Sequence, residues 1–248
     1  AGDVLVAASL RGGDTVMDAS LDNKGRQRLI TKRDIKTPAE LKGKRVGVTR
    51  IGAVSHSVLL MMLQRGKMSV NDVQVLQLGS SPSMLASLDK GGIEGAVVTI
   101  PSMFVAEDRG YRVLLDMADT DIYYLHTMDA TTRQYIKNNR DKVVRFLKGY
   151  VEGIAFVKHN KQESLDIVKK KLRIGPEQEK NLERSIDLLI AKYYEPVPYP
   201  SLRGVETVLG FIEKDNPKAK GADPKMFVDD SLLREIEASG FVKTLYQR

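Results

Sequence analysis

Arg50, Gly52, Ser55 and His56 bring a guanidinium, a flexible backbone, a hydroxyl and an imidazole into the seven-residue stretch 50–56. Residues of these types between a strand and a helix suit an anion or a strongly polar group, which the free N–H groups of a helix start would also attract. A second group, Thr99, Ile100 and Ser102, follows another apolar strand at a comparable level and can approach the same ligand. A third comprises Tyr123, Tyr124 and His126. Period-2 alternation aims only one of the two tyrosines at a ligand, and His126 shares a face with Tyr124. The candidate ligand-binding residues are therefore Arg50, Gly52, Ser55, His56, Thr99, Ser102 and Tyr124. Each also has an ordinary structural reading: Gly52 as a turn residue, Ser55 and Ser102 as helix caps, Arg50 as a surface charge, His126 as a core side chain, and His159 as a helix-end residue.

Other chemistries lack their residues. The 248-residue chain has no cysteine and three scattered histidines, with no H-x-x-x-H pair, so neither a thiolate nor a metal site is expected. No G-x-S-x-G elbow and no G-x-x-x-x-G-K-[ST] loop occurs. No catalytic residue and no cofactor are expected. The formal net charge of +7 suits an acidic partner, but Lys169-Lys170-Lys171 is the only dense basic run and no aromatics interleave it, which argues against nucleic acid. No apolar stretch is long enough for a membrane span, and Ala1 to Leu10 lacks the basic flank of a signal peptide.

The elements that position these residues follow from patterning. Thr37-Pro38-Ala39-Glu40 starts a short helix that Gly43 stops. Arg45 to Thr49 reads as a buried parallel strand, and Val54, Val58, Met61 and Met62 recur at helical spacing after it. Asp72 to Leu78 and Gly95 to Thr99 read as further strands, with Ser81-Pro82 capping the helix between them. Arg112 to Met117 reads as a fourth. Val4 to Leu10 reads as a strand, Arg11 to Gly25 as turn-rich, and Gln27 to Thr31 and Tyr123 to Met128 as extended. From Thr132 onward the chain reads as mostly helix, with Asp141 capping Lys142 to His159 and Pro176 opening a helix toward Tyr193.

IKTPAELKGKRVGV with its glycine loop and helix, MLASLDKGGIEGAVV followed by a proline, DKVVRFLKGYVEGIAFVKHN and DDSLLREIEASGFVKTLY together resemble the solute-binding proteins of ABC importers. The likeness is to the branch of nitrate, sulfonate, taurine and pyrimidine-precursor binders. It implies a two-lobe periplasmic-binding-protein-like α/β fold of type II, with a small, anionic or polar organic solute held in a cleft over which the lobes close. It also implies a membrane permease as partner, a monomer, and a periplasmic or otherwise extracytoplasmic location.

Mapped onto that plan, residues 1–33 are the remnant of a first lobe and a first crossing, 34–121 a second α/β lobe, and 122–248 a return crossing with helices that pack on the first lobe. Family members begin with strand and helix units before the segment matching Val4 to Leu10. The first lobe is accordingly expected to be partial, and the apolar face Val143, Val144, Leu147 and Val151 to lie largely exposed. Two alternatives share the fold: a pyrimidine-precursor synthase, which the resemblance associates with a cysteine-rich motif absent here, and the effector-binding domain of a transcription regulator, for which no helix-turn-helix segment is visible.

Overall fold

The computed structural model describes residues 2–214 and 216–247. In chain order the elements are α1 (Gly2–Leu10), β1 (Thr15–Asp22), β2 (Arg28–Thr31), β3 (Arg45–Val48), α2 (Val54–Arg65), β4 (Gln74–Gln77), α3 (Ser81–Asp89), β5 (Gly95–Val98), α4 (Ser102–Asp108), β6 (Arg112–Asp116) and β7 (Thr127–Thr132). Seven further helices follow: α5 (Arg133–Asn138), α6 (Arg140–His159), α7 (Lys161–Leu172), α8 (Pro176–Lys192), α9 (Leu202–Ile212), α10 (Ser231–Ala238) and α11 (Phe241–Tyr246). They form two compact units. One comprises 26–121 with 180–185, and the other comprises 1–25, 122–179 and 186–248.

The unit containing 26–121 is built on a five-stranded sheet in the order β4-β3-β5-β2-β6. β3 runs parallel to β4 and β5, while β2 is antiparallel to both of its neighbours. Valines dominate the centre because both faces are covered: Val46, Val48, Val97 and Val98 are all buried. Gly47 is needed between them, since a β-carbon there would lie 2.9 Å from Ile93 Cδ1 and 3.2 Å from Met84 Cγ. Leu59 and Met62 of α2 and Met84 and Leu88 of α3 are buried, and both helices pack on β3 and β5. Gln27 to Thr31, expected as extended, is indeed extended, and it supplies an inner strand of this sheet.

Charges in this unit are paired where they are buried. Arg28 reaches Asp116 at 2.6 Å and Glu107 at 2.5 Å. Arg45 grips Glu94 through Nη2 at 2.6 Å and Nε at 3.2 Å, and its backbone N–H adds a third bond at 3.0 Å. The fork of an arginine matches a carboxylate in this way, and it holds the Glu94 carboxyl down to about 2.

The other unit departs more from expectation. Gly2–Leu10 is a helix, not a strand: Ala7 and Ala8 favour it, and it packs against α9. Within Arg11 to Gly25, expected to be turns, Thr15–Asp22 forms β1, which pairs antiparallel with β7. Its aspartates and serine hide the pattern of a buried strand. The Tyr123 to Met128 reading catches only the first two residues of β7, which continues to Thr132.

Asn139, and not Asp141, stands at the N-cap of α6, and Asp141 lies in the first turn. The face expected to be exposed is covered. Val143, Leu147 and Val151 are buried in a core with Val16 and Ala19 of β1, Leu232, Leu233 and Ile236 of α10, and Val242 of α11, with Val144 partly buried against it. The missed strand and the C-terminal helices supply the apolar surface that sequence patterning had not provided.

Candidate functional site

Parallel pairing sets the carboxyl ends of β4, β3 and β5 side by side, with the chain passing from β3 to β4 on one side and then from β4 back past β3 to β5 on the other. The crevice outside a strand-order reversal of this kind is where open α/β sheets bind ligands. Two loops border it, Thr49 to Ala53 after β3 and Thr99 to Pro101 after β5.

In the first loop Gly52 takes φ +81°, a left-handed conformation open to glycine at little cost. The turn brings the Gly52 N–H to His56 Nδ1 at 3.2 Å. Nδ1 therefore accepts, and Nε2 carries the proton of a neutral imidazole. Burial lowers the His56 pKa, which keeps the ring neutral at pH 7. Ser55 is not the helix cap. Ala53 occupies that position without a side-chain bond, and the buried Ser55 hydroxyl turns back to accept from the Thr49 N–H at 2.9 Å and meet Thr49 Oγ1 at 2.7 Å. No side chain caps α2, and the His56 and Ser57 N–H groups both donate to the Ala53 carbonyl, at 2.9 and 3.1 Å.

Gln77 ties this loop to the neighbouring strand by accepting from the Ile51 N–H at 2.9 Å. Arg50 is exposed beside it.

The second loop is held similarly. Thr99 Oγ1 donates to the Arg26 carbonyl at 3.3 Å, and the Thr99 N–H donates to Ser81 Oγ at 3.4 Å. Ser81 is thus a tether, while Ser80 caps α3 by accepting from the Ser83 N–H at 3.2 Å. Ser102 is buried at the first position of α4, where Pro101 is the N-cap and no side chain caps the helix.

The structure therefore gathers Arg50, Gly52, Ser55, His56, Thr99 and Ser102 at one sheet edge. Tyr124 belongs to the other unit and is 1% exposed, a core side chain. Its neighbour Tyr123 is the more accessible ring and carries the Arg203 guanidinium 4.3 Å above its centroid. Three contributors were missed in the sequence, namely Thr49, Gln77 and Ser81. Each ends a strand or opens the next helix, and that position was their only signal. Among the described residues no group of three or more His, Cys, Asp or Glu side chains is placed to hold a metal ion.

A mixed five-stranded sheet with flanking helices in one unit, and a two-stranded sheet with helices in the other, give an α/β protein with the fold of periplasmic-binding-protein-like structures. The chain belongs to the NMT1/THI5-like family, whose model matches residues 3–164. It is similar to the taurine-binding periplasmic protein of Escherichia coli K12, at 27% identity over 126 residues covering 50% of this chain and 38% of that protein. The match thus spans well under half the length of that relative. Among solved structures, the periplasmic aliphatic sulphonate binding protein SsuA of Escherichia coli aligns with a TM-score of 0.71 and 19% identity, over 90% of this chain and 71% of that one. The desulfurization enzyme DSZB aligns with a TM-score of 0.69 and 15% identity, over 96% and 83%.

Proposed function

We propose that this chain is the non-catalytic solute-binding component of an ABC-type importer, working outside the cytoplasmic membrane as a monomer and delivering a small anionic or polar organic solute to a membrane permease. The observation that carries this is the uncapped start of α2 at the sheet's crevice, with the Gly52 turn, the neutral His56 and the exposed Arg50 beside it. These groups offer hydrogen-bond donors and positive potential to an acidic head group. Family membership and the likeness to taurine and sulphonate binders point the same way.

An enzyme reading, whether a synthase of this fold or a relative of the desulfurization enzyme, finds less support at the crevice. Ser55 Oγ is engaged by Thr49 and His56 Nδ1 by Gly52, so the two do not form a nucleophile and base pair. A regulator's effector domain is equally compatible with the fold, but nothing at the crevice favours it.

Titration calorimetry with taurine, a short alkanesulfonate and the matching alkyl alcohol tests the reading. The sulfonates should bind and the alcohol should not. His56→Ala should weaken binding roughly tenfold, about 1.4 kcal/mol. Equal binding of the alcohol, or full affinity in His56→Ala, would remove the basis for placing an acidic head group at α2.

A further inference from the structure

The unit holding 1–25 contains a pocket that the solute site does not use. It encloses about 250 Å³ between β1, β7, α5 and α6, with Asp18 and Asp129 at its polar end and Val143, Phe146 and Tyr135 along its apolar side.

Asp18 sits where the β1–β7 ladder slips, between Met17 paired with Ala130 and Ala19 paired with Asp129. A bulge of this kind re-aims a side chain, and here the carboxylate faces the pocket while the residue is only 4% exposed. Its Oδ1 is buried with no hydrogen-bond partner among the described residues, as is Oδ2 of Asp129. An ionised carboxylate so placed is costly unless a donor meets it. Asp129 shares a hydrogen bond with the Tyr150 hydroxyl, which leaves the other oxygen for the pocket.

The charges around Asp18 are mostly of its own sign. Asp129 and Asp229 both raise its pKa, burial raises it more, and the value reaches about 6 despite partial relief from the Asp18 and Ala19 amides. Arg133 on α5 is 3.5 Å from Asp229 and partly neutralises it. Lys142 on α6 lines the pocket, with its Nζ drawn to Asn139 Oδ1 at 3.2 Å. With the Lys142 ammonium drawn to Asn139, a second cation with several N–H donors and an apolar body would meet Asp18 and Asp129. Phe146 at 53% and Tyr135 at 46% exposure present aromatic surface to such a molecule.

We propose that this pocket binds the ammonium head of a small organic cation, with Asp18 and Asp129 as its paired acceptors and Phe146 and Tyr135 enclosing its alkyl body. A metal ion is a poorer occupant, because the described residues gather no third ligand. The site is separate from the crevice at α2, so the two stand or fall independently.

The probe is n-butylammonium, compared with n-butanol and butyrate, by titration calorimetry on the 248-residue protein at pH 8. The ammonium should bind, and the alcohol and the acid should bind at least tenfold more weakly. Asp18→Asn keeps shape and removes a buried charge, so it should stay folded, as its thermal unfolding will show, yet lose butylammonium affinity at least tenfold. Asp129→Asn should act in the same direction. Affinity for the ammonium should also fall as pH drops through about 6, where Asp18 takes up its proton. Butanol binding as well as the ammonium would leave only an apolar slot, and full affinity in a folded Asp18→Asn protein would mean the cation sits elsewhere. Either result overturns the proposal.

Discussion

Two buried carboxylate settings in this molecule are opposites. In the unit with the five-stranded sheet, Asp116 and Glu107 meet Arg28, and Glu94 meets Arg45 through two guanidinium nitrogens and a backbone amide. In the other unit, Asp18 and Asp129 face a pocket, each with a buried oxygen that has no hydrogen-bond partner among the described residues. One pattern stabilises a fold. The other holds unspent electrostatic potential at a bulge, which is how binding sites differ from structural ion pairs.

The sharpest way to break this comparison is to remove the shared cation of the first setting. Arg28→Ala takes the guanidinium from Asp116 in a mostly buried place, while Glu107 keeps Arg184, and a loss of about 3–5 kcal/mol is expected from denaturant unfolding. If the loss were under about 1 kcal/mol, the pair would be no more than a surface contact. On the side of the other unit, Leu147→Ala empties a fully buried position in the α6 core and should cost about 2–5 kcal/mol. Under the expectation of an exposed α6 face, the same change would have been nearly neutral. Hydrogen exchange offers the same check through slow protection along Arg140–His159.

Asp18→Asn should move stability the opposite way from Arg28→Ala. The Asp18 pKa rises from 3.8 to about 6 on folding, so the folded state holds the extra proton between those values and stability falls as pH rises through that window. That rise corresponds to at most about 3 kcal/mol at pH 7. Asp18→Asn should recover much of it at pH 7 and little at pH 3.5. Glu94 supplies the contrast, because its lowered pKa contributes stability above 4.5 that is lost as pH falls toward 2. A stability profile that lacks the Asp18-dependent segment would put a cation or water chain beside that carboxylate. The smallest effect belongs to Gly52→Ala. Open space surrounds the new methyl group, so only the left-handed backbone resists it, by about 1–2 kcal/mol. Any loss of solute affinity in that variant therefore has to be measured against its unfolding curve.

Sequence reading served the two units unequally, for a physical reason. β3, α2, β4 and β5 carry their own signals: short valine runs buried on both faces, glycine stops, and apolar residues at helical spacing. Their carboxyl-end loops, and with them Gly52, Ser55, His56, Thr99 and Ser102, followed from that local pattern. β1 did not, because Thr15–Asp22 places Asp18, Ser20 and Asp22 at buried positions where patterning expects apolar residues. A strand that serves a polar pocket reads as a turn.

The residues themselves thus determined the βαβ succession, the glycine turn at Gly52, the absence of thiolate chemistry and the family resemblance, since each depends on neighbours within a few positions or on motifs written along the chain. Tertiary structure alone decided that Ser55 braces Thr49 instead of capping α2, that Tyr124 is core, that residues 2–10 form a helix against α9, and that α6 is covered by β1, α10 and α11. The Ser55–Thr49 brace spans only six residues, but the other outcomes depend on which distant surfaces meet, and burial between segments far apart in the chain leaves no periodic trace in either segment alone.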